Sequence, residues 1–489
     1  MTLAQIIELL LPQLILLITV LAIFIADLAD TRKEKGWAPY VALAGILLAL
    51  VVSSLHWGRE VALLGNMLRV DRFSVFFNGV VLAASALSVL LAISYMRPRT
   101  PYRAEFYALL TVVALAMTLA AGANNILMVY LAMESISITS YVLVGYLRQD
   151  AKANEAAIKY FLYGAATSAM MLYGMSLLFG ISGTLDLKEL ADFFAAGVPE
   201  TSRWIAFPAM VLLLAGFGFK TALVPFHQWS PDTYEGAPTP VTAFLSVGPK
   251  AAGFAILMRV FITGLPRFYT DWAALLAGIS IVTMTLGNLV ALRQSNIKRM
   301  LAYSSIAHAG YILIGVVCLS LSTTSPFNGI NGAMIYLLAY LFTNVGAFLT
   351  VIAFEEATGS TTIADYAGLM KRSPWLAVTM LVFLLSLTGI PSTGGFIGKL
   401  FVFGAAIQVQ FYLLAIVGII NSAIAAFYYL NVVRYMFFTP APEPASPVPV
   451  PRPLRWVLAI CLVMTFVIGL YPQPFMNLAA GGAGLLASL

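Results

Sequence analysis

The sequence predicts an all-α polytopic membrane protein of about fourteen transmembrane helices, each needing roughly twenty apolar residues to cross. Three observations carry that prediction. Of 489 residues, 61% are hydrophobic and only 10% charged, with a mean hydropathy of +0.92. Water-soluble domains run near half apolar and a quarter charged. Apolar runs of crossing length recur along the whole chain, and basic residues gather in alternate loops, as they do in chains inserted into a bilayer.

The runs lie near residues 4–27, 37–56, 72–95, 104–122, 125–147, 157–181, 204–224, 240–262, 270–292, 299–321, 329–354, 374–408, 411–437 and 454–472. The first has no basic residue ahead of it and carries Glu8, so it reads as a helix and not as a cleaved signal. The seventh stops at Pro225, and the segment up to Pro240 (PFHQWSPDTYEGAPTP) is too polar to face lipid. The twelfth is too long for one straight crossing and is interrupted at Gly389–Gly395 (GIPSTGG). Broken helices survive in a bilayer only where protein buries them or they line a wet cavity. Thr439 to Pro453 reads as a polyproline-like linker outside the membrane.

This pattern divides the chain into three N-terminal crossings (1–100), a unit of crossings four to eight (101–265), a unit of crossings nine to thirteen (266–437), and a Pro-rich linker with a C-terminal helix (438–489). Lys220 precedes the first break and Lys399 follows the second. Two tandem five-helix units must be inverted across the membrane, giving two inverted five-helix repeats with broken helices seven and twelve.

Orientation follows from the basic residues. Loops after odd-numbered crossings carry Arg32, Lys33 and Lys35; Arg97, Arg99 and Arg103; Arg148 and Lys152; Arg293, Lys298 and Arg299; Lys371 and Arg372; and Arg434, Arg452 and Arg455. The other loops carry only Arg59, Arg69, Arg72, Lys188, Arg203 and Arg267. Odd loops are therefore expected in the cytoplasm and both termini on the opposite, periplasmic side of a bacterial inner membrane. The net charge of +6 reflects those loops and not a nucleic-acid partner. Cys318 and Cys461 are far apart and in no metal-ligand spacing, so neither a disulfide scaffold nor a metal site is expected.

Five basic residues remain inside apolar runs: Lys159, Lys220, Lys250, Arg259 and Lys399. Among the acids only Glu134 sits well inside one. Each such charge costs about 2.5–3.5 kcal/mol on insertion scales, which marks these residues as functional candidates. Arg259 lies near a helix end and is read as a snorkelling anchor. A buried amine without a full-time counter-ion holds its proton weakly, as a proton carrier must. Ser137 and Tyr141 share a helical face with Glu134, Tyr163 and Thr167 with Lys159, and Ser246 precedes Lys250 by one turn. Ser304, His308 and Tyr311 share another face, where His308 is placed to relay a proton near neutral pH. His56 and His227 read as boundary or loop residues.

FKTALVPFHQWSPDTYEGAPTPVTAFLSVGPKAAGFAIL (219–257), AMESISITSYVLVGY (132–146) and GIPSTGGFIGKLFVF (389–403) resemble the antiporter-like membrane subunits of respiratory complex I. The length, the short C-terminus and the PFHxWxPDxYEGAPTP wording most resemble the N-type subunits. The chain departs from the pattern at Ser392, where the family usually has a second proline. The resemblance implies a half-channel glutamate at Glu134, lysines at Lys220, Lys250 and Lys399, a relay at His308, and a less defined role for Lys159.

It further implies a proton-translocating module of a redox-driven NADH:quinone oxidoreductase. No cofactor is expected in this chain: GFGFK at 216–220 lacks the third glycine of a dinucleotide loop. NADH, FMN, iron–sulfur clusters and quinone belong to partner subunits. Expected partners are other membrane subunits, chiefly a neighbouring antiporter-like subunit and small membrane subunits, within the lipid bilayer. Alternatives are a subunit of a Mrp-type cation/proton antiporter, of a membrane-bound hydrogenase or of a plastoquinone-reducing complex. A self-sufficient solute carrier would instead need a substrate cavity of its own.

Overall fold

The structure is a computed structural model that describes residues 2–30, 36–197, 200–319, 327–441 and 446–484. Arg32, Lys33 and Lys35 lie outside the described residues. The N-terminal unit comprises α1 (Leu3–Leu9), α2 (Leu11–Ala29), α3 (Ala38–Leu55), a hairpin of β1 (Val61–Leu63) and β2 (Leu68–Val70), and α4 (Arg72–Met96). Next come α5 (Arg103–Gly122), α6 (Ile126–Val144), α7 (Ala151–Ser182), α8 (Leu187–Ala195), α9 (Glu200–Thr221), α10 (Trp229–Gly236) and α11 (Thr239–Arg259). Then follow α12 (Tyr269–Ala291), α13 (Ile297–Val317), α14 (Gly329–Thr358), α15 (Leu369–Arg372), α16 (Pro374–Thr388), α17 (Gly394–Gln408) and α18 (Tyr412–Phe438). The chain closes with α19 (Arg452–Leu470) and α20 (Gln473–Gly482).

Among the described residues thirteen helices are long and apolar enough to cross a membrane. The two shorter apolar helices α16 and α17 together make a fourteenth crossing. The protein is thus an all-α polytopic membrane protein. The first apolar run differs from expectation: it splits at Leu10, because Pro12 belongs in the first turn of a new helix and cannot continue an old one. α9 ends at Ala222, which has a left-handed φ of 59°, and α10 resumes the crossing after Pro225. The second break contains Ser392 at φ 71°, which proline, fixed near −65°, cannot adopt. The departure at Ser392 therefore gives this break its shape. Residues 446–451, the described end of the Pro-rich stretch, are non-helical, and residues 442–445 lie outside the description.

Burial ranks the helices. The apolar windows of α11, α13 and α14 are 100%, 94% and 94% buried, whereas those of α2 and α19 are 28% buried. The three central helices therefore carry the protein's interior, and their polar side chains meet one another and not lipid.

Two small ladders of the same construction bind the crossings. Asn125 caps α6 through Leu127 N and bridges Asp186, just past the end of α7; Ile126 N donates to Leu185 O at 2.8 Å. Asn296 caps α13 and bridges Thr362, just past the end of α14; Ile297 N donates to Thr361 O at 2.8 Å. In each case the long helix ends on a left-handed glycine, Gly183 or Gly359, three residues before the bridge, a conformation only glycine adopts freely. Five crossings separate the ladders, so they lie on opposite faces. The second shares its face with Arg99, Lys152, Glu355 and Arg372, hereafter the basic face. The first shares its face with Arg59, Asp71, Arg259 and both described chain ends, where Arg59 pairs with Glu8 and Gly482 meets α4.

Candidate functional site

The three lysines expected in the interior are buried, with exposures of 1% (Lys220), 3% (Lys250) and 4% (Lys399). Lys220 sits in the last turn of α9, just before the break, and its Nζ donates to Ser137 Oγ of α6 at 2.6 Å. Its stem lies against Gly253 of α11, where an added Cβ would come within 2.9 Å of Lys220 Cγ. Gly253 is one turn beyond Lys250, so the Lys220 stem packs on the same helix that carries Lys250. Glu134, one turn before Ser137, does not touch Lys220: it accepts a hydrogen bond from Ser168 Oγ of α7, and its charge acts on the ammonium through space.

Lys250 Nζ donates to Ser305 Oγ at 2.6 Å and to Ser305 O at 3.1 Å on α13. One turn further along α13, His308 is clasped by two tyrosines, with Nδ1 2.8 Å from Tyr336 Oη of α14 and Nε2 3.2 Å from Tyr429 Oη of α18. Ser304 meets the same Tyr429 hydroxyl at 2.5 Å. Tyr311, the third residue of that face, donates its ring to Lys399, whose Nζ lies 4.7 Å from the centroid. Lys399 Nζ also donates to Thr388 O at 2.8 Å, across the α16–α17 break. An open cleft of about 540 Å³ flanks it, lined by Phe327, Phe396, Phe403, Ile407 and Ile419. Glu134, Lys220, Lys250, His308 and Lys399 thus lie along one polar interior whose links are hydroxyls and carbonyls.

That chemistry decides what the lysines can do. An ammonium offers three N–H donors, yet among the described residues Lys220 and Lys399 each make one hydrogen bond. No carboxylate lies within ion-pair distance of Lys220, Lys250 or Lys399 among the described residues. Nothing therefore locks a full positive charge in place. Unpartnered buried atoms at Ser230, Thr233, Tyr340, Asn344 and Ser422 border the same interior, and such atoms are where ordered water binds.

Lys159 differs from expectation. Its side chain is 41% exposed and ion-paired, to Asp232 at 2.7 Å and Glu155 at 2.8 Å. Arg299 completes the cluster, reaching Asp232 at 2.6 Å and Glu235 at 3.0 Å. α10 is thereby tied to α7 and α13 at the basic face. Trp229 at the start of α10 donates its indole N–H to Phe219 O at 2.9 Å, next to Lys220.

Arg259 also differs. It does not snorkel: it is 2% exposed and grips Asp71, the N-cap of α4, with two hydrogen bonds of 2.8 and 2.9 Å. The hairpin and α4 supply the carboxylate that made the bilayer interface unnecessary as a partner. Burial alone would raise the Asp71 carboxyl, but the Arg259 guanidinium, aided by Arg69, holds it below the ordinary carboxylate range.

Lys298 and Glu355 join the buried charges although neither stands inside an apolar run. Lys298 falls among the loop cations by its position ahead of the apolar run, yet it is 4% exposed, and its Nζ donates to Ala237 O at 2.8 Å. The signal was the Asn296 cap, which starts α13 two residues before the apolar run. Glu355 lies one residue past the apolar run, while the helix continues to Thr358. Tyr336, Tyr340 and Asn344 were legible as one face at a spacing of four. His56 caps α3 and His227 lies within the first break; both are buried. Cys318 and Cys461 are free, buried thiols.

Residues 123–425 match the family described as the NADH:quinone oxidoreductase/Mrp antiporter membrane family. The NADH-quinone oxidoreductase subunit N of Trichlorobacter lovleyi is 39% identical over 476 residues, 97% of this chain and 96% of that protein. The NAD(P)H-quinone oxidoreductase subunit 2 of Rippkaea orientalis is 39% identical over 482 residues, 96% and 92% of the two chains. Among solved structures, a chain of respiratory complex I from Thermus thermophilus superposes with a TM-score of 0.80 at 32% identity, covering 96% of this chain and 99% of that one. With the family model spanning well over half of its length and relatives matched end to end, this chain belongs to the NADH:quinone oxidoreductase/Mrp antiporter family of membrane subunits, on its subunit N branch.

Proposed function

We propose that this chain carries protons across the membrane within an NADH:quinone oxidoreductase, along a path whose steps are Glu134, Lys220, Lys250, His308 and Lys399. The observation that carries the reading is the set of three buried lysines, each held by hydroxyl or carbonyl oxygens and none by a carboxylate. Lys220 loads from the basic, cytoplasmic face while the charge of Glu134 sets its hold on the proton. Lys250 and His308 pass the proton across the centre, and Lys399 releases it toward the other, periplasmic face, where both described chain ends lie. Lys159, clasped by Asp232 and Glu155, stands at the cytoplasmic mouth beside Arg299. Redox chemistry at NADH, FMN, iron–sulfur clusters and quinone proceeds in partner subunits, and energy reaches this chain as a conformational or electrostatic change.

The two ladders support reading residues 101–265 and 266–437 as inverted repeats. Nine residues after Asn125 stands Glu134, and nine after Asn296 stands Ser305; twelve residues on, Ser137 answers to His308. Each repeat then places a lysine beside a break and a proton-handling partner on its second crossing. Moving one charge against 100 mV costs about 2.3 kcal/mol. A pKa swing of about two units at a lysine supplies that, at 1.36 kcal/mol per unit.

Isolation of the chain from its native membrane in mild detergent tests the assembly. Co-purifying flavin and iron–sulfur subunits, with an antiporter-like neighbour and small membrane subunits, is the expected result. Recovery with cation/proton antiporter subunits alone, and no redox protein, would overturn it.

A further inference from the structure

Glu355 and the hydroxyls that lead along α11 to Lys250 are given no part in the path above. α11 presents Thr239, Thr242, Ser246 and Lys250 at intervals of three, four and four residues, which places them on one helical face, one per turn. All four are buried, the first three completely. Glu355 of α14 stands at the basic-face end of this stripe and accepts hydrogen bonds from Thr239 Oγ1 and, at 3.1 Å, from Tyr95 Oη of α4. Thr242 donates to Tyr234 O at 3.0 Å. Ser246 accepts from Asn344 Nδ2 at 2.6 Å. The Oδ1 atom of Asn344 and the hydroxyl of Tyr340, one turn away on the same face of α14, are buried without a partner. Lys250, at the inner end, is held by Ser305.

We propose that this stripe is a second proton-loading branch, which runs from Glu355 at the basic face straight to Lys250 without passing through Lys220. A proton captured by the Glu355 carboxylate passes inward through the hydroxyls of Thr239, Thr242 and Ser246 and water bound at the Asn344 and Tyr340 acceptors. Each hydroxyl gives up one proton and takes one, so the stripe is unchanged after a passage, and the neutral Lys250 amine becomes an ammonium. The groups facing Glu355 are Tyr95 on α4, Thr239 on α11, Lys298 on α13, Tyr366 past the end of α14, and its neighbour Glu356, which with Tyr95 faces Arg99 just past the end of α4. Lys298 and Arg99 hold the mouth positive, and Glu355 and Glu356 supply the proton-binding oxygens. A stripe serving only to staple α11 to α14 would not need a carboxylate at its mouth or acceptors without partners along its length.

The branch rests on the role of Lys250 given above, so four variants are compared in the assembled complex reconstituted into vesicles, with redox-driven proton uptake read across pH. Loading from the basic face becomes limiting as pH rises. Glu355→Gln is therefore expected to move the alkaline half-activity point down by about one pH unit, with Glu355→Asp restoring most of it. Thr242→Val keeps shape and removes only the hydroxyl, and is expected to give the same shift. Wild-type pH profiles in both variants, with Lys250→Met inactive, overturn the branch alone. Wild-type uptake in Lys250→Met overturns the reading of Lys250 on which the branch stands.

Discussion

The two lysines beside the helix breaks occupy related places and keep opposite company. Lys220 has Ser137 in contact and the charge of Glu134 one turn away. Lys399 has the carbonyl of Thr388, the ring of Tyr311 and, through the tyrosines, His308, but no acid among the described residues. The first half sets a carboxylate within electrostatic reach of its lysine. Around Lys399 itself the second offers neutral oxygens and rings, with the Glu355 carboxylate set at the far, basic-face end of α14. Loading and release would be divided between the halves by this difference in chemistry, on one repeated scaffold.

Removing Lys220 should break the comparison most severely. Lys220→Ala is expected to lower redox-driven proton uptake and coupled quinone reduction by about 10²-fold, the usual worth of a positioned proton-transfer group, while the complex still assembles. Assembly is read by native gel and uptake in vesicles; an assembled variant that pumps at wild-type stoichiometry removes Lys220 from the path.

Glu134 sharpens the contrast. Glu134→Gln keeps the shape and the Ser168 contact but deletes the charge, so uptake should slow by about tenfold with a shifted pH profile. Glu134→Asp should retain partial activity. Identical profiles for Gln and Glu at this position would show that the halves do not differ electrostatically.

The smallest effect is structural. Asp71 is held below its ordinary range by Arg259, so the pair stabilises the fold above the unfolded carboxylate pKa and ceases to do so as pH falls through the lower folded value. Thermal stability of the wild-type complex should therefore fall on acidification below about pH 4, near the unfolded carboxylate value. Asp71→Asn, already lacking the charge and leaving Arg259 buried without its counter-ion, should be less stable at neutral pH and flatter across the acid range. A parallel acid response in both proteins would remove the pair from the stability of this face.

Much of this was legible in the sequence, for identifiable reasons. Crossings announce themselves because lipid tolerates few charges, so Lys220, Lys250 and Lys399 stood out against their runs, and the breaks beside two of them were marked by Pro225 and by GIPSTGG. What escaped was long-range pairing. Nothing near Arg259 in sequence reveals that Asp71, from a hairpin and cap far upstream, reaches it. Lys159 sits in an apolar run but meets Asp232 because α9 and α10 run antiparallel to α7. Glu355 and Lys298 lie at helix ends, where hydropathy cannot tell a buried terminus from a loop. The tyrosines around His308 come from three helices and were individually ordinary.

The central claim is that a proton leaves and rejoins a lysine in both halves, and Lys399→Arg tests it most directly. Guanidinium keeps its proton at every accessible pH, whereas a buried lysine can give its proton up. Redox-driven proton uptake into vesicles holding the assembled Lys399→Arg complex, at enzyme content matched to wild type, should be lost or reduced by about tenfold or more. Wild-type uptake in that variant would make Lys399 a fixed charge at a helix break and contradict the account.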